Sequence, residues 1–352
     1  MRAAGRISVA DLAAGAALAP LLDDAGRLVD PMLVVDLDGP AEPALLRSAR
    51  DAAEAADRIL VGVRTHQRPG ESWYDLLAAL DVTLSPASPG TPPTSCMPVA
   101  APATQAHLLH EAVTAHPQAA AVLAQVLRAT GGLDVRRGLD LESFAYSTLL
   151  GGGEFRRWLA ARGSRPLPPP AGAPPVLVER TGDHLLITLN RPARRNAYGR
   201  ELRDALVDAL RVAVLDETIG PVTLCGSGPS FCAGGDLDEF GTTPDIATAH
   251  FVRTRGGAGE LLHRIADRSQ VRLHGACVGA GIELAAFAGH LVARVGTTFR
   301  LPEVSMGLIP GAGGTVGIPR RIGRWRTLYL ALSGTPLDTA TALAWGLVDE
   351  VG

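Results

Sequence analysis

The chain has 352 residues, enough for two domains or one large one, with 47% hydrophobic and 20% charged residues and a net charge of -3. Apolar material is ample for a core, and the slight negative balance argues against a nucleic-acid surface, RNA included. All 33 basic residues are Arg; this excludes lysine Schiff-base chemistry and a phosphate loop built on Gly-Lys-Ser/Thr, so a ligand phosphate must meet Arg or backbone N–H groups. The cysteines, Cys96, Cys225, Cys232 and Cys277, lack metal-ligand spacing, and the N-terminus has no basic region followed by an apolar run. No apolar stretch approaches the ~20 residues needed to span a bilayer. A reduced, cytoplasmic setting is the expectation.

Residues 1–31 are rich in Ala and Leu and read as helical. Met32 to Asp38 reads as a buried strand ended by Gly39-Pro40, and 43–57 as a helix with Leu45, Ala49, Ala53 and Ala56 on one face. Ile59 to Val63 is a second strand, and the Pro/Ser/Thr/Gly-rich passage 85–95 a loop. Helical periodicity covers 104–128, with Pro117 suited to a first turn. Residues 139–162 read as two helical pieces broken at Gly151-Gly152-Gly153. The passage GSRPLPPPAGAPP, 163–175, is a stiff proline-rich linker and marks the expected domain boundary.

Beyond it, strands and helices alternate. Val176–Glu179 and Leu185–Leu189 are strands joined through Gly182, 200–214 is a helix with Leu202, Leu206 and Leu210 on one stripe, and Pro221–Cys225 is a strand. A loop at 226–235, a helix over 244–267 and a short strand at 271–273 follow. This order predicts an α/β architecture. MLVVDLDGP at 32–40 weakly echoes HLLITLNRP at 184–192.

Three loops carry the candidate chemistry. In Ser230 to Leu237, small residues let a ligand approach the backbone and leave N–H groups free to donate. In Val278 to Gly281, N–H groups sit at a helix start, where the dipole favours developing negative charge. Facing each other, the two loops would form an oxyanion hole for a thioester carbonyl. The third loop, Leu301 to Gly314, brings a second acid, Glu303, toward Glu283. His274 reads as a strand-end residue, and Cys232 and Cys277 as packing residues beside the site.

The segments NRPARRNA, FCAGGDL, HGACVGAGIEL, LPEVSMGLIPGAGGT and GLVDEV occur in that order over 176–352. In these motifs and their spacing, that half of the chain resembles the crotonase (enoyl-CoA hydratase/isomerase) superfamily. The resemblance implies a spiral of ββα units, a CoA thioester as substrate, no metal or redox cofactor, and a homo-oligomer (trimer or hexamer). It places the oxyanion-hole amides at Gly235 and Ala280, and the water-holding acids at Glu283 and Glu303. Arg194 falls where a CoA contact is common. Ala197, Ala233, Asp236, Leu237, Gly279, Pro302 and Gly311 fall at substrate-binding positions.

Two departures stand out. Asp238-Glu239 is acidic where the family often has a basic residue, and His290 stands where Asp is common, a position read as structural. The segment 138–162 also resembles the family's C-terminal helices, with Trp158 and Arg162 near CoA-touching positions, although it precedes the core. The expected organisation is therefore a degenerate α/β region at 1–103, a helical segment at 104–163 packed over a core in the same or another chain, a linker at 164–175 and a crotonase core at 176–352. The expected activity is syn hydration of a 2-enoyl-CoA. The alternatives are an enoyl-CoA isomerase or another reaction of the family, and a non-catalytic acyl-CoA-binding or scaffold subunit.

Overall fold

The computed structural model describes residues 5–66, 70–87, 93–170 and 172–352. Parts of the loop expected at 85–95, residues 1–4 of the N-terminal helix expected at 1–31, and Ala171 of the proline-rich passage lie outside the described residues. The chain divides into two compact units, Met1–Arg128 with Gly323–Ser333, and Ala129–Ile322 with Gly334–Gly352.

In the first unit, β1 (Gly5–Ser8), α1 (Val9–Ala13), β2 (Met32–Asp36), α2 (Pro43–Glu54), β3 (Ile59–Val63), α3 (Tyr74–Ala79), β4 (Val82–Ser85) and β5 (Cys96–Pro98) precede α4 (Pro102–Ala115) and α5 (Pro117–Thr130). The strands form one parallel sheet in the order β1-β2-β3-β4-β5. β3 is buried along its whole length and β2 in all but its last residue, which is why both read as unbroken apolar runs. α2 buries Leu46, Ala49 and Ala53. The N-terminal stretch is not one helix. It opens on β1, which pairs with β2, and α1 runs only five residues from a Ser8–Asp11 capping box. Gly15 and Pro20 end the helical pattern, and the edge of the sheet gives Gly5–Ser8 a better use for its backbone groups. Buried Asp81 accepts from Arg128 Nε at 2.8 Å, Leu60 N at 2.8 Å and Arg324 Nη1 at 3.3 Å, and so ties the 323–333 segment into this unit.

The second unit opens on α6 (Val135–Leu150), capped by Asp134, and α7 (Gly153–Arg162). The hairpin β6 (Val176–Thr181) and β7 (His184–Leu189) leads into α8 (Arg200–Leu215), β8 (Val222–Gly226), α9 (Ile246–Arg255), α10 (Gly259–Arg264) and β9 (Ser269–Leu273). Then come β10 (Ala276–Val278), α11 (Ala280–Glu283), β11 (His290–Ala293), β12 (Thr298–Arg300), α12 (Gly314–Ser333), α13 (Thr339–Trp345) and β13 (Glu350–Val351); α12 is interrupted at Gly323, and its part from there on belongs to the first unit. The main sheet has the order β13-β11-β9-β8-β7-β6, parallel except for the hairpin, and β10 pairs separately with β12. The echo seen in the sequence maps onto β2-α2-β3 and β7-α8-β8, each a parallel βαβ unit.

Two expectations are corrected. The helix at 244–267 is split into α9 and α10 by Gly256-Gly257, a pair with low helix propensity. The unit boundary falls after Arg128, and the proline-rich passage 163–175 lies inside the second unit. The reason is side-chain bonding. α6 is tied to α9 through Ser143 and Ser147, which bond His250 O, Ile246 O and the Arg253 side chain. α7 is tied to the same unit through Arg162, which donates to Asp238, whereas α4 and nearly all of α5 belong to the first unit.

Candidate active site

The site begins with a strand pair. β10 and β12 run parallel with Val278 opposite Arg300, and Gly279 N donates to Arg300 O at 2.9 Å. Each strand then ends just before an acid, so pairing the strands brings Glu283 and Glu303 to the same place. Gly279 sits between them at φ +49°, a left-handed conformation that glycine tolerates without strain. A Cβ there would collide with Glu303 Oε1 and stand 3.6 Å from Glu283 Oε1, so both carboxyls face one point.

The FCAGGD loop is registered against the same strand. Cys232 O accepts from Val278 N at 3.1 Å, and Gly234 O from Tyr198 N at 2.8 Å. Gly235 and Ala280 are thereby brought to the wall of one cavity of about 260 Å³, and their N–H groups have no backbone acceptor among the described residues. Glu283, Glu303, Asp236 and Gly311 line the same cavity.

Three further residues on the cavity wall were missed by sequence reasoning. Glu142, on α6, is buried. Its Oε1 accepts from Gly313 N at 2.7 Å, and its Oε2 from Thr315 N at 2.8 Å and Thr315 Oγ1 at 2.7 Å. Glu283 Oε2 takes the alternate amides of that turn, Ala312 N at 2.7 Å and Gly314 N at 3.0 Å. Tyr146 lies one turn along α6, its ring packed so closely on Gly311 that a Cβ there would collide with it. Arg253, on α9, places its guanidinium 4.8 Å from the Tyr146 ring centroid. The only sequence signal was a 3.6-residue spacing that puts Glu142 and Tyr146 on one helical face.

The electrostatics follow from burial. Desolvation raises the Glu142 carboxyl to about 7, although Thr315 and Gly313 donate to it. It raises Glu303 to about 8, with only that residue's own amide and Arg300 pulling the other way, while Oε2 is buried without a partner. Glu283 is pushed upward by burial first and then by the charges of Glu303 and Glu142. Three buried carboxyls lining one cavity do not all ionise together. Glu283 accepts from two amides, whereas Glu303 has the fewest donors to support an anion. Burial also lifts the Cys232 thiol to about 12 and raises that of Cys277, which fits packing residues and not nucleophiles.

Other sequence-predicted residues lie elsewhere. Arg194 donates to Asp236 through Nε at 2.9 Å and Nη2 at 2.6 Å, and to Asp238 at 2.9 Å. Two carboxylates already neutralise this guanidinium and hold its Nε and Nη2 edge, which weakens its pull on a phosphate. Asp238 also pairs with Arg162 of α7 at 2.5 Å, and Glu239 accepts from Arg200 N at 2.8 Å, so the acidic pair is engaged within the fold. Trp158 stacks on Phe155 and tilts against Phe240. Ala197, Ala233, Leu237 and Pro302 are not among the cavity-lining residues, and Gly279 contributes through the acids it separates.

The sequence model described as enoyl-CoA hydratase/isomerase matches residues 180–352. The 2,3-dehydroadipyl-CoA hydratase of Escherichia coli K12 is 35% identical over 176 residues, covering 50% of this chain and 68% of that protein. The 1,2-epoxyphenylacetyl-CoA isomerase of the same organism is 33% identical over 175 residues, covering 47% and 65%. A crystal structure of an enoyl-CoA hydratase from Thermoplasma volcanium is 34% identical, covers 51% of this chain and 72% of that one, and has a TM-score of 0.47.

Proposed function

The chain belongs to the enoyl-CoA hydratase/isomerase family, and on that premise we propose that it adds water across the 2,3 double bond of an enoyl-CoA to give a 3-hydroxyacyl-CoA. The observation that carries this reading is the meeting of Glu283 and Glu303 beside Gly279, in a cavity that also presents the Gly235 and Ala280 amides. Water addition needs one base and one acid within reach of the same molecule, and a donor pair for the carbonyl oxygen.

The thioester oxygen accepts from Gly235 N–H and Ala280 N–H, and these bonds strengthen as the oxygen becomes enolate-like; one such donor is worth about 3 kcal/mol of barrier. Water sits between the acids. Glu283 takes its proton as the oxygen bonds to C3, and Glu303 delivers a proton to C2 from the same side, so addition is syn. Each group contributes roughly 10²–10⁴-fold. Afterwards Glu283 holds the proton and Glu303 the charge, and exchange through the product-release step resets them. The reaction is redox-neutral: one water adds across C2 and C3, its hydroxyl to C3 and a proton to C2.

The test is a spectrophotometric screen of straight, branched and aromatic 2-enoyl-CoAs, following loss of the conjugated thioester absorbance and identifying the product. Appearance of the 3-hydroxyacyl-CoA supports the reading. Migration of the double bond without water uptake would move the assignment to isomerase, and binding without turnover would move it to a scaffold role.

A further inference from the structure

The cavity wall formed by α6 and α9 carries a cation with no carboxylate of its own. Arg253 Nε donates to Ser143 Oγ at 3.0 Å, and Nη2 donates to Ser143 O at 3.2 Å and to Ser147 Oγ. Nη1 has no acceptor among the described residues, and the residue lines the cavity. Glu142, one neighbouring acid, has both oxygens committed to Gly313 and Thr315 and forms no ion pair with the guanidinium. Burial holds Arg253 below the usual range of an arginine, with Tyr146 and Glu142 offsetting part of the effect.

An arginine does not shed its proton to escape this situation. Arg253 is half-buried, and a partly desolvated guanidinium without a carboxylate partner gains when an anion reaches it. The side chain is also fixed in advance, by two serines on one side and the Tyr146 ring on the other, so little freedom is lost when something binds. Leu139, Leu150 and Leu284 line the same cavity and suit a methylene chain.

We infer that the acyl group taken into this cavity ends in a carboxylate, which Arg253 Nη1 binds at the α6–α9 wall. This rests on the acyl-CoA reading above and deepens it: the substrate class is an ω-carboxylated enoyl thioester.

Affinity is measured first, with thioesters that cannot react. Calorimetry compares the saturated C6 acyl-CoA with the counterpart whose terminal methyl is replaced by a carboxylate, on the intact protein. The expected result is at least a tenfold preference for the carboxylated ligand, the scale of one charge-assisted hydrogen bond. Arg253→Gln should erase that ratio and Arg253→Lys should retain part of it. Equal affinities in the unmodified protein, or a ratio that Arg253→Gln leaves intact, would overturn the inference and show a structural arginine. The matching enoyl-CoAs are then assayed for turnover. A preference in binding with no hydration of either would sink the hydration reading and leave this one standing.

Discussion

Glu142 and Glu283 share one turn: the amides of residues 312 and 314 point to Glu283, and those of 313 and 315 to Glu142. The turn is thus held from two sides by carboxylates on different helices. Glu283 Oε2 is fixed by it, which leaves Oε1 facing Glu303. Glu142 touches no reacting atom in this arrangement. On the proposed mechanism its part is to fix the turn to which Glu283 is bonded.

Replacing Glu142 tests that coupling. Both of its oxygens accept, so Glu142→Gln must set an amide donor against a backbone N–H whichever way it flips. A loss of about 1–3 kcal/mol in stability is expected, with kcat reduced by roughly tenfold or more and KM changed less. Thr315→Val removes only the hydroxyl donor and should cost about 1 kcal/mol. Thermal melts and steady-state kinetics read both. A folded Glu142→Gln protein with unchanged kcat would show that the turn does not orient Glu283.

The two acids differ from Glu142 in what their removal does. Glu283→Gln and Glu303→Gln should each lower kcat by roughly 10²–10⁴-fold while substrate affinity holds within a fewfold. Tolerance of one substitution would point to double-bond isomerisation, which can be run by a single carboxylate shuttling one proton.

Arg194 offers a separate test, since its guanidinium is bound to Asp236 and Asp238. Asp236 is buried, and removing its partner leaves a stranded carboxylate. Arg194→Ala should lower stability by about 2 kcal/mol and raise KM for a CoA substrate less than threefold. A larger rise in KM, with the melting temperature preserved, would restore the phosphate contact expected from the sequence.

Stability should also depend on pH in a defined direction. Glu142 and Glu303 titrate at about 7 and about 8 when folded, against 4.5 for an ordinary glutamate, and Glu283 is raised as well. The folded state therefore binds these protons more tightly than the unfolded chain does. Their contribution is complete below about pH 4.5 and is lost as pH rises through 7 to 8, by up to ~1.4 kcal/mol per pH unit for each group. Melting temperature should fall between about pH 5 and pH 8.5, and Glu303→Gln, which mimics the protonated acid, should flatten the decline. A wild-type profile no steeper than the variant's would count against a protonated Glu303.

What the sequence made legible was local. Gly279, Glu283 and Glu303 lie in segments whose glycines and small residues announce a turn or a helix start, whereas the short β10 and β12 and their pairing emerge only in the structure. Glu142 and Arg253 gave no such sign, because a charged residue on an amphipathic helix reads as solvated until its neighbour is known. The same limit hid the partners of Arg194: nothing near it in the chain reveals that Asp236 and Asp238 bond its guanidinium. The unit boundary was missed because proline content reports stiffness, while membership in a unit is decided by which surfaces α6 and α7 cover.

Glu142 and the amides it accepts are separated by more than 170 positions. On the ribosome, α6 is finished long before the turn exists, and its carboxylate stays hydrated in the meantime. Closure of that long loop comes after the local strands and helices have formed. Maturation of catalytic competence should accordingly lag behind acquisition of helical and sheet content during refolding, since the acids dry out and take up their protons only when residues 312 to 315 arrive.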